Sequence, residues 1–128
     1  MLPAPLRCSA LATSSGQAAE TLAILNLAES GDHVVSSSSL YGGTYNLLHY
    51  TLKKLGINTT FIKDPDDLSE WEAAITPKTK LFYGESIGNP KNDFLDIKGI
   101  SEVAHGSGIP LIVDNTVATP YLLNPLEL

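Results

Sequence analysis

The stretch Leu111-Ile112-Val113-Asp114-Asn115-Thr116 passes abruptly from an apolar run to an acid, an amide and a hydroxyl. The apolar run predicts a buried β-strand, and open α/β sheets bind ligands at the carboxyl ends of their strands. We therefore expect Asp114 and Thr116 at the rim of a sheet. Two interpretations remain open, because these side chains could face a ligand or could simply cap the next element.

Outward from this stretch, apolar runs and helical patterns alternate along the whole chain. The pattern predicts helices over 16–29, 43–55, 66–75 and 97–105, and strands over 33–37, 58–63, 79–85 and 110–114. Strands separated by helices are typical of βαβ units. The sequence therefore predicts an α/β fold built on a parallel sheet.

Composition narrows the class of protein. The chain has 128 residues, which suits one domain, and a net charge of −6 with only eight Lys and Arg, which argues against nucleic acid. Cys8 is the single cysteine, so no internal disulfide forms and a reducing, cytoplasmic location is expected.

The sequence contains no apolar run of the ~18 residues that span a membrane. His33, His49 and His105 lack the spacing of metal ligands, so we expect no metal.

Polar side chains follow three of the predicted strands and should meet at one edge of the sheet. They are Ser38, Ser39 and Tyr41, then Glu85, Ser86 and Asn89, then Asp114 and Thr116. A carboxylate at such an edge can keep a heterocyclic nitrogen protonated, since unit charges ~4 Å apart attract by ~4 kcal/mol at an effective dielectric of 20. Tyr41 could stack on a planar ligand, or could fill space between helix and sheet.

The first predicted helix begins at Ser14-Ser15-Gly16-Gln17. Free backbone N–H groups at a helix start attract anions, and Gly16 would allow a close approach. The alternative is that Ser15 is an ordinary N-cap. The pattern is neither a GxGxxG fingerprint nor a P-loop, so it does not predict nucleotide binding.

A second motif, Gly84-Glu85-Ser86-Ile87-Gly88, matches the GxSxG of a serine hydrolase. That motif needs a helix directly after the serine, whereas Asn89 and Pro90 intervene. Its catalytic histidine should follow the acid, and no histidine follows Asp114. The hydrolase is therefore the weakest of the functional alternatives.

Four ordered motifs resemble the Cys/Met metabolism (trans-sulfuration) family of pyridoxal phosphate (PLP) dependent enzymes. They are residues 15–21 (SGQAAET), 37–46 (SSSLYGGTYN), 85–90 (ESIGNP) and 113–116 (VDNT). The resemblance covers 10–128 and leaves 1–9 unmatched. It implies a three-layer fold dominated by a parallel sheet, as part of the large PLP-binding domain of a fold-type I (aspartate-aminotransferase-like) enzyme.

The same resemblance implies roles for residues near the first helix and the first strand. Gly16 and Gln17 match backbone amides that bind the cofactor phosphate, with Ser15 beside them. Tyr41 matches a tyrosine that stacks on the pyridine ring and lies near the reacting substrate, so it is also the candidate catalytic residue.

Roles are likewise implied after the third and fourth strands. Asp114 matches the acid that pairs with the pyridine nitrogen, and Thr116 matches a hydroxyl beside the ring. Asn89 matches an asparagine near a cofactor oxygen and the substrate carboxylate. Glu85 matches an acid in the same loop and is grouped with Asn89 as a candidate substrate residue.

The serine tract before Tyr41 and the stretch Thr44-Tyr45-Asn46 favour the sulfhydrylase branch of the family over the γ-lyases. This branch implies γ-replacement, in which O-acetylhomoserine and sulfide or a thiol give homocysteine or methionine plus acetate. The implied partners are therefore small molecules, not nucleic acid or a membrane. The resemblance also implies a homotetrameric parent enzyme.

The family's Schiff-base lysine lies in a Ser-x-x-Lys stretch, and no lysine of this chain has that context. We therefore expect the chain to be a piece of the PLP-binding domain and to be inactive alone. The alternative is a non-catalytic remnant that acts as a cofactor-binding or interaction module. Either form could self-associate through apolar surface.

Overall fold

The structure is a computed structural model that describes residues 9–128. Cys8 and most of segment 1–9, to which the sequence motifs do not extend, therefore lie outside the described residues. The strands are β1 (His33–Ser37), β2 (Asn58–Ile62), β3 (Thr79–Glu85) and β4 (Leu111–Asp114). The helices are α1 (Gly16–Leu27), α2 (Gly42–Asn46), a π-helical segment (Leu47–Thr51), α3 (Leu52–Lys54), α4 (Leu68–Ala73), α5 (Ile97–Gly106), α6 (Thr119–Leu122) and a 3₁₀ turn (Pro125–Glu127).

The four strands form one parallel sheet in the order β2-β1-β3-β4. This confirms the predicted α/β fold with a parallel sheet. In the register of the last pair, Glu85 lies beside Asp114. Side-by-side residues of neighbouring strands point to the same face, so these two acids share a face at the carboxyl edge of the sheet.

Alternate residues of each strand pack on opposite faces, which produces three layers. Val34 and Tyr83 pack on one face with Ile24 of α1. Val35 and Phe82 pack on the other face, with α4 and α5. The strands are buried on both sides, as parallel strands covered by helices require.

α1 and α4 are shorter than the predicted ranges 16–29 and 66–75, and the helices differ from the prediction in two further places. The predicted single helix over 43–55 is three segments, because the middle segment, Leu47–Thr51, is π-helical. The short α6 and the 3₁₀ turn near the end were not predicted, and Pro120 at the start of α6 suits a first helical turn. Among residues 9–128, no helix is long and apolar enough to cross a bilayer.

The topology also creates a crevice beside β1 and β3. The chain leaves β1 through α2 and α3 on the face that α1 covers, whereas it leaves β3 through α5 on the opposite face. The loops after these adjacent strands therefore diverge, which opens a ligand-sized gap at the carboxyl edge.

Candidate active site

One cavity of about 360 Å³ opens in this crevice. Its lining includes every residue to which the family resemblance gave a role, namely Ser15, Gly16, Gln17, Tyr41, Glu85, Asn89, Asp114 and Thr116. Ser38, Ser39 and Ser86, which also follow the strands, do not line it. Residues from the start of α1 and from the ends of β1, β3 and β4 thus meet around one space. The roles assigned to these residues remain predictions.

The start of α1 supplies the anion-binding end of the cavity. Ser15 has an extended backbone, and its Oγ accepts the Ala18 N–H at 3.1 Å, so its side chain is an N-cap. The N–H groups of Gly16 and Gln17 belong to the first turn and have no partner within the helix. They stay available to an anion, and no heavy atom lies within 4 Å of where a Cβ on Gly16 would stand.

Gly43 brings Tyr41 and Gln17 together. A Cβ on Gly43 would stand 2.7 Å from Tyr41 Cε1 and 2.7 Å from Gln17 Nε2, closer than real Cβ atoms approach. The Tyr41 ring thus rests against the glycine backbone, and Tyr41 is 55% exposed and lines the cavity. A flat ligand could stack on this ring while its anionic end meets α1.

Glu85 fixes the backbone of Tyr41. Its Oε1 accepts the Tyr41 N–H at 2.6 Å, and its side chain is only 5% exposed. Burial raises the pKa of the Glu85 carboxyl to about 7, and the charges of Asp114 and Glu20 add to the rise, while the hydrogen bond from Tyr41 opposes it. The sequence indicated Glu85 as a site residue, but it did not predict this hydrogen bond between the end of β3 and the loop that holds Tyr41.

Asp114 lies at the end of β4 and is oriented by Thr116. Its Oδ1 accepts hydrogen bonds from Thr116 N at 2.9 Å and from Thr116 Oγ1 at 2.5 Å. Both interpretations of the opening stretch therefore have a structural basis, because Asp114 caps the following turn and also lines the cavity.

Two groups beside Asp114 were not predicted as part of the site. Glu20 of α1 lines the cavity, and Tyr83 of β3 joins Glu20 and Asp114 around an adjoining space of about 290 Å³. Glu20 Oε2 and the Tyr83 hydroxyl are buried without hydrogen-bond partners in the described structure. One signal was available, because Glu20 shares a face of α1 with the buried Ile24.

Ser86 is unsuited to act as a hydrolase nucleophile. Its side chain is buried, and its Oγ donates a hydrogen bond to Asn115 Oδ1 at 2.7 Å. The next helix, α5, begins only at Ile97, so the strand-to-helix turn of a nucleophile elbow is absent after Ser86.

The cavity combines three carboxylates with no cationic side chain. Glu20, Glu85 and Asp114 line it, whereas no Lys, Arg or His of residues 9–128 does. These acids are not arranged as a metal site in the described part of the chain. A ligand with a flat cationic ring and an anionic tail fits this arrangement, because the ring would meet Asp114 and the tail would meet α1. PLP, protonated at its ring nitrogen, has both features.

Curated relatives match most of the chain. It is 56% identical over 119 residues to the O-acetyl-L-homoserine sulfhydrylase of Corynebacterium glutamicum, covering 93% of this chain and 27% of that protein. It is 50% identical over 122 residues to the homocysteine synthase of Schizosaccharomyces pombe, covering 93% of this chain and 28% of that protein. The chain therefore spans little more than a quarter of the length of these relatives.

Solved structures share the fold. A putative O-acetylhomoserine (thiol)-lyase from Campylobacter jejuni superposes with a TM-score of 0.85 at 45% identity, over 88% of this chain and 28% of that one. That structure carries a pyridoxyl-lysine phosphate. Cystathionine gamma-lyase from Lactobacillus plantarum, complexed with L-serine, gives a TM-score of 0.83 at 40% identity, over 88% of this chain and 29% of that one.

The match to a family model is more extensive than either superposition. The model for the Cys/Met metabolism PLP-dependent enzymes matches residues 7–128, nearly the whole chain. With the 56% identity to a curated member, this confirms the resemblance seen in the four sequence motifs. The chain belongs to the Cys/Met metabolism family of PLP-dependent enzymes.

Proposed function

We propose that this chain forms the ring-binding and phosphate-binding part of an enzyme that exchanges the acetate of O-acetylhomoserine for sulfide or a thiol. The products would be acetate and homocysteine or methionine. The main support is the single cavity that joins the start of α1, Tyr41 and Asp114. The names of the curated relatives, a sulfhydrylase and a homocysteine synthase, support this choice of substrates.

Each end of the cavity would bind one part of PLP. The N–H groups of Gly16 and Gln17 would donate hydrogen bonds to the phosphate, and the partial positive charge of the α1 start would add ~0.3–2 kcal/mol. Tyr41 would cover one face of the ring. Asp114, ionised and oriented by Thr116, would hold the proton on the ring nitrogen.

Bound PLP supplies an electron sink for the carbanion character that develops next to the amino group of the substrate. Asp114 supports this chemistry by keeping the ring cationic. Asn89, in the loop after β3, would contact the cofactor oxygen and the carboxylate of the amino acid. Glu85 would act through the backbone of Tyr41, which it binds directly.

A chimera tests the proposed reaction. Residues 10–128 would replace the matching segment of the Corynebacterium glutamicum sulfhydrylase, which is 56% identical over 119 residues. We expect homocysteine from O-acetylhomoserine and sulfide, and a large loss of turnover when the chimera also carries Asp114→Asn. A folded chimera that binds PLP but makes no homocysteine or methionine with any sulfur nucleophile would refute the proposed activity.

The isolated chain should behave differently. No lysine of residues 9–128 lines the cavity, so we propose that PLP binds the chain without a covalent link. Fluorescence titration should show saturable binding that Asp114→Asn weakens. Borohydride treatment should leave no pyridoxyl group on a single defined lysine, and a stoichiometric adduct on one lysine would contradict this proposal.

We also propose that the isolated chain self-associates. Tyr121 is 93% exposed and Leu122 is 73% exposed, and Leu126 is also exposed close by. Exposed apolar side chains of this size favour association in water. Light scattering should report a mass that rises with protein concentration, whereas a constant monomer mass would exclude self-association.

A further inference from the structure

We propose that Glu20 is a positioning residue that carries a proton on Oε2 and donates it in a hydrogen bond to Asp114. The bond would keep Asp114 ionised and would orient it toward a ring nitrogen. This role rests on the proposed function, because the orientation of Asp114 matters only if a PLP ring binds beside it.

The two oxygens of Glu20 have unequal surroundings. Oε1 accepts a hydrogen bond from Thr44 Oγ1 at 2.9 Å, and Thr44 is fully buried. Oε2 is buried and has no partner within the described structure. A buried carboxylate oxygen without a donor is costly, whereas the hydroxyl of a neutral acid needs only an acceptor. The proton therefore belongs on Oε2.

Asp114 is the available acceptor. It lines both cavities that Glu20 lines, and Thr116 donates its two hydrogen bonds to Oδ1 of Asp114 rather than Oδ2. Tyr83 is the other titratable group at this place, and its protonated hydroxyl can both donate and accept a hydrogen bond. A charged carboxylate is the stronger acceptor, so Asp114 accepts the hydrogen bond from Glu20 in preference to Tyr83. Burial and the nearby charge of Asp114 raise the pKa of Tyr83, so its hydroxyl stays protonated.

The charges around Glu20 also favour a proton on its carboxyl group. Burial raises the pKa of Glu20, the neighbouring Asp114 raises it further, and the hydrogen bond from Thr44 and the nearby Tyr83 hydroxyl oppose the rise. Glu85 brings a third carboxyl to the same space, and no cationic side chain of residues 9–128 lines it. A proton on Glu20 lowers the negative charge of this cluster of carboxyl groups and leaves the charge of Asp114 for the ligand.

Infrared spectroscopy tests the proton directly and needs no cofactor. The spectrum of the chain minus that of Glu20→Gln, at pH 7, should contain the C=O stretching band of a neutral carboxyl group. A difference spectrum that contains only carboxylate bands would show an ionised Glu20 and would overturn the proposal. Glu29→Gln removes an exposed acid after the end of α1 and serves as the control, with a carboxylate difference only.

A second measurement tests the effect on Asp114. PLP labelled with ¹⁵N at the ring nitrogen should give the same chemical shift in the wild-type chain and in Glu20→Gln, whose amide still donates a hydrogen bond. Glu20→Ala should move the shift toward neutral or heterogeneous nitrogen and weaken PLP binding about tenfold. Equal shifts in all three proteins would refute the positioning role. If PLP binds none of them, the proposed function fails, and the infrared difference alone decides where the proton lies.

Discussion

The free energy of unfolding should depend on pH because the carboxyl group of Glu85 is buried. Its pKa is 4.5 in an ordinary setting and about 7 in the folded chain, chiefly because of burial. Between these two values the folded state keeps a proton that the unfolded chain releases. The free energy of unfolding must therefore fall as the pH rises through this window, and the effect is complete above pH 7.

The size of the effect follows from the two pKa values. A pKa change of 1 corresponds to ~1.4 kcal/mol, so the full rise from 4.5 to about 7 costs ~3 kcal/mol of stability at alkaline pH. About 2 kcal/mol of this falls between pH 5 and pH 7.5. Glu85 is only 5% exposed, so solvent screens little of the effect.

Urea unfolding of the wild-type chain and of Glu85→Gln at a series of pH values isolates the contribution of Glu85 to the pH dependence of stability. The variant keeps an oxygen for the Tyr41 N–H, and the titration of groups far from Glu85 is common to both proteins. We expect the stability of wild type minus that of the variant to fall by ~2 kcal/mol from pH 5 to pH 7.5. A difference that stays flat or rises over this range would refute the reasoning.

Three further variants test the site and the core. Gly43→Ala should displace the Tyr41 ring or the Gln17 amide, which lie 2.7 Å from the new Cβ, and titration should show PLP affinity reduced about tenfold or more with the circular dichroism spectrum unchanged. Asp114→Asn should weaken PLP binding by ~2–4 kcal/mol, measured by calorimetry, because the ring nitrogen loses its counter-charge. Trp71→Ala should destabilise the chain by ~3–5 kcal/mol in urea unfolding, because Trp71 is fully buried and its Nε1–H donates to Pro65 O. Equal PLP affinity in either site variant, or an unchanged unfolding midpoint in the Trp71 variant, would contradict the corresponding argument.

The bounds of the central strands were predictable because the local sequence determines where each strand begins and ends. β1 (His33–Ser37) and β3 (Thr79–Glu85) have the predicted bounds, since each apolar run meets small or polar residues at its end. The π-helical segment Leu47–Thr51 was not predictable in this way. The spacing of apolar residues in this stretch does not distinguish the i→i+5 hydrogen bonds of a π-helix from the i→i+4 hydrogen bonds of an α-helix.

One rule of sheet topology was enough to predict part of the site. Parallel strands end at a common edge, so Tyr41, Glu85 and Asp114 could be expected together. Glu20 was missed because its surroundings come from Tyr83 and Asp114, which lie far away along the chain. A helical acid is ordinarily exposed, and only tertiary packing partly buries Glu20 and fully buries its Oε2.

The lining of the cavity is drawn from positions as far apart as Ser15 and Thr116, and strands β1 and β3 must pair before these positions can meet. Partly unfolded forms thus have no binding pocket, so occupancy and global folding rise and fall together. A compound that fills the pocket at a hundred times its dissociation constant would add ~2.7 kcal/mol to the stability of the whole chain. Thermal shift in the presence of small aromatic phosphates would therefore rank ligands for this chain without any catalytic assay.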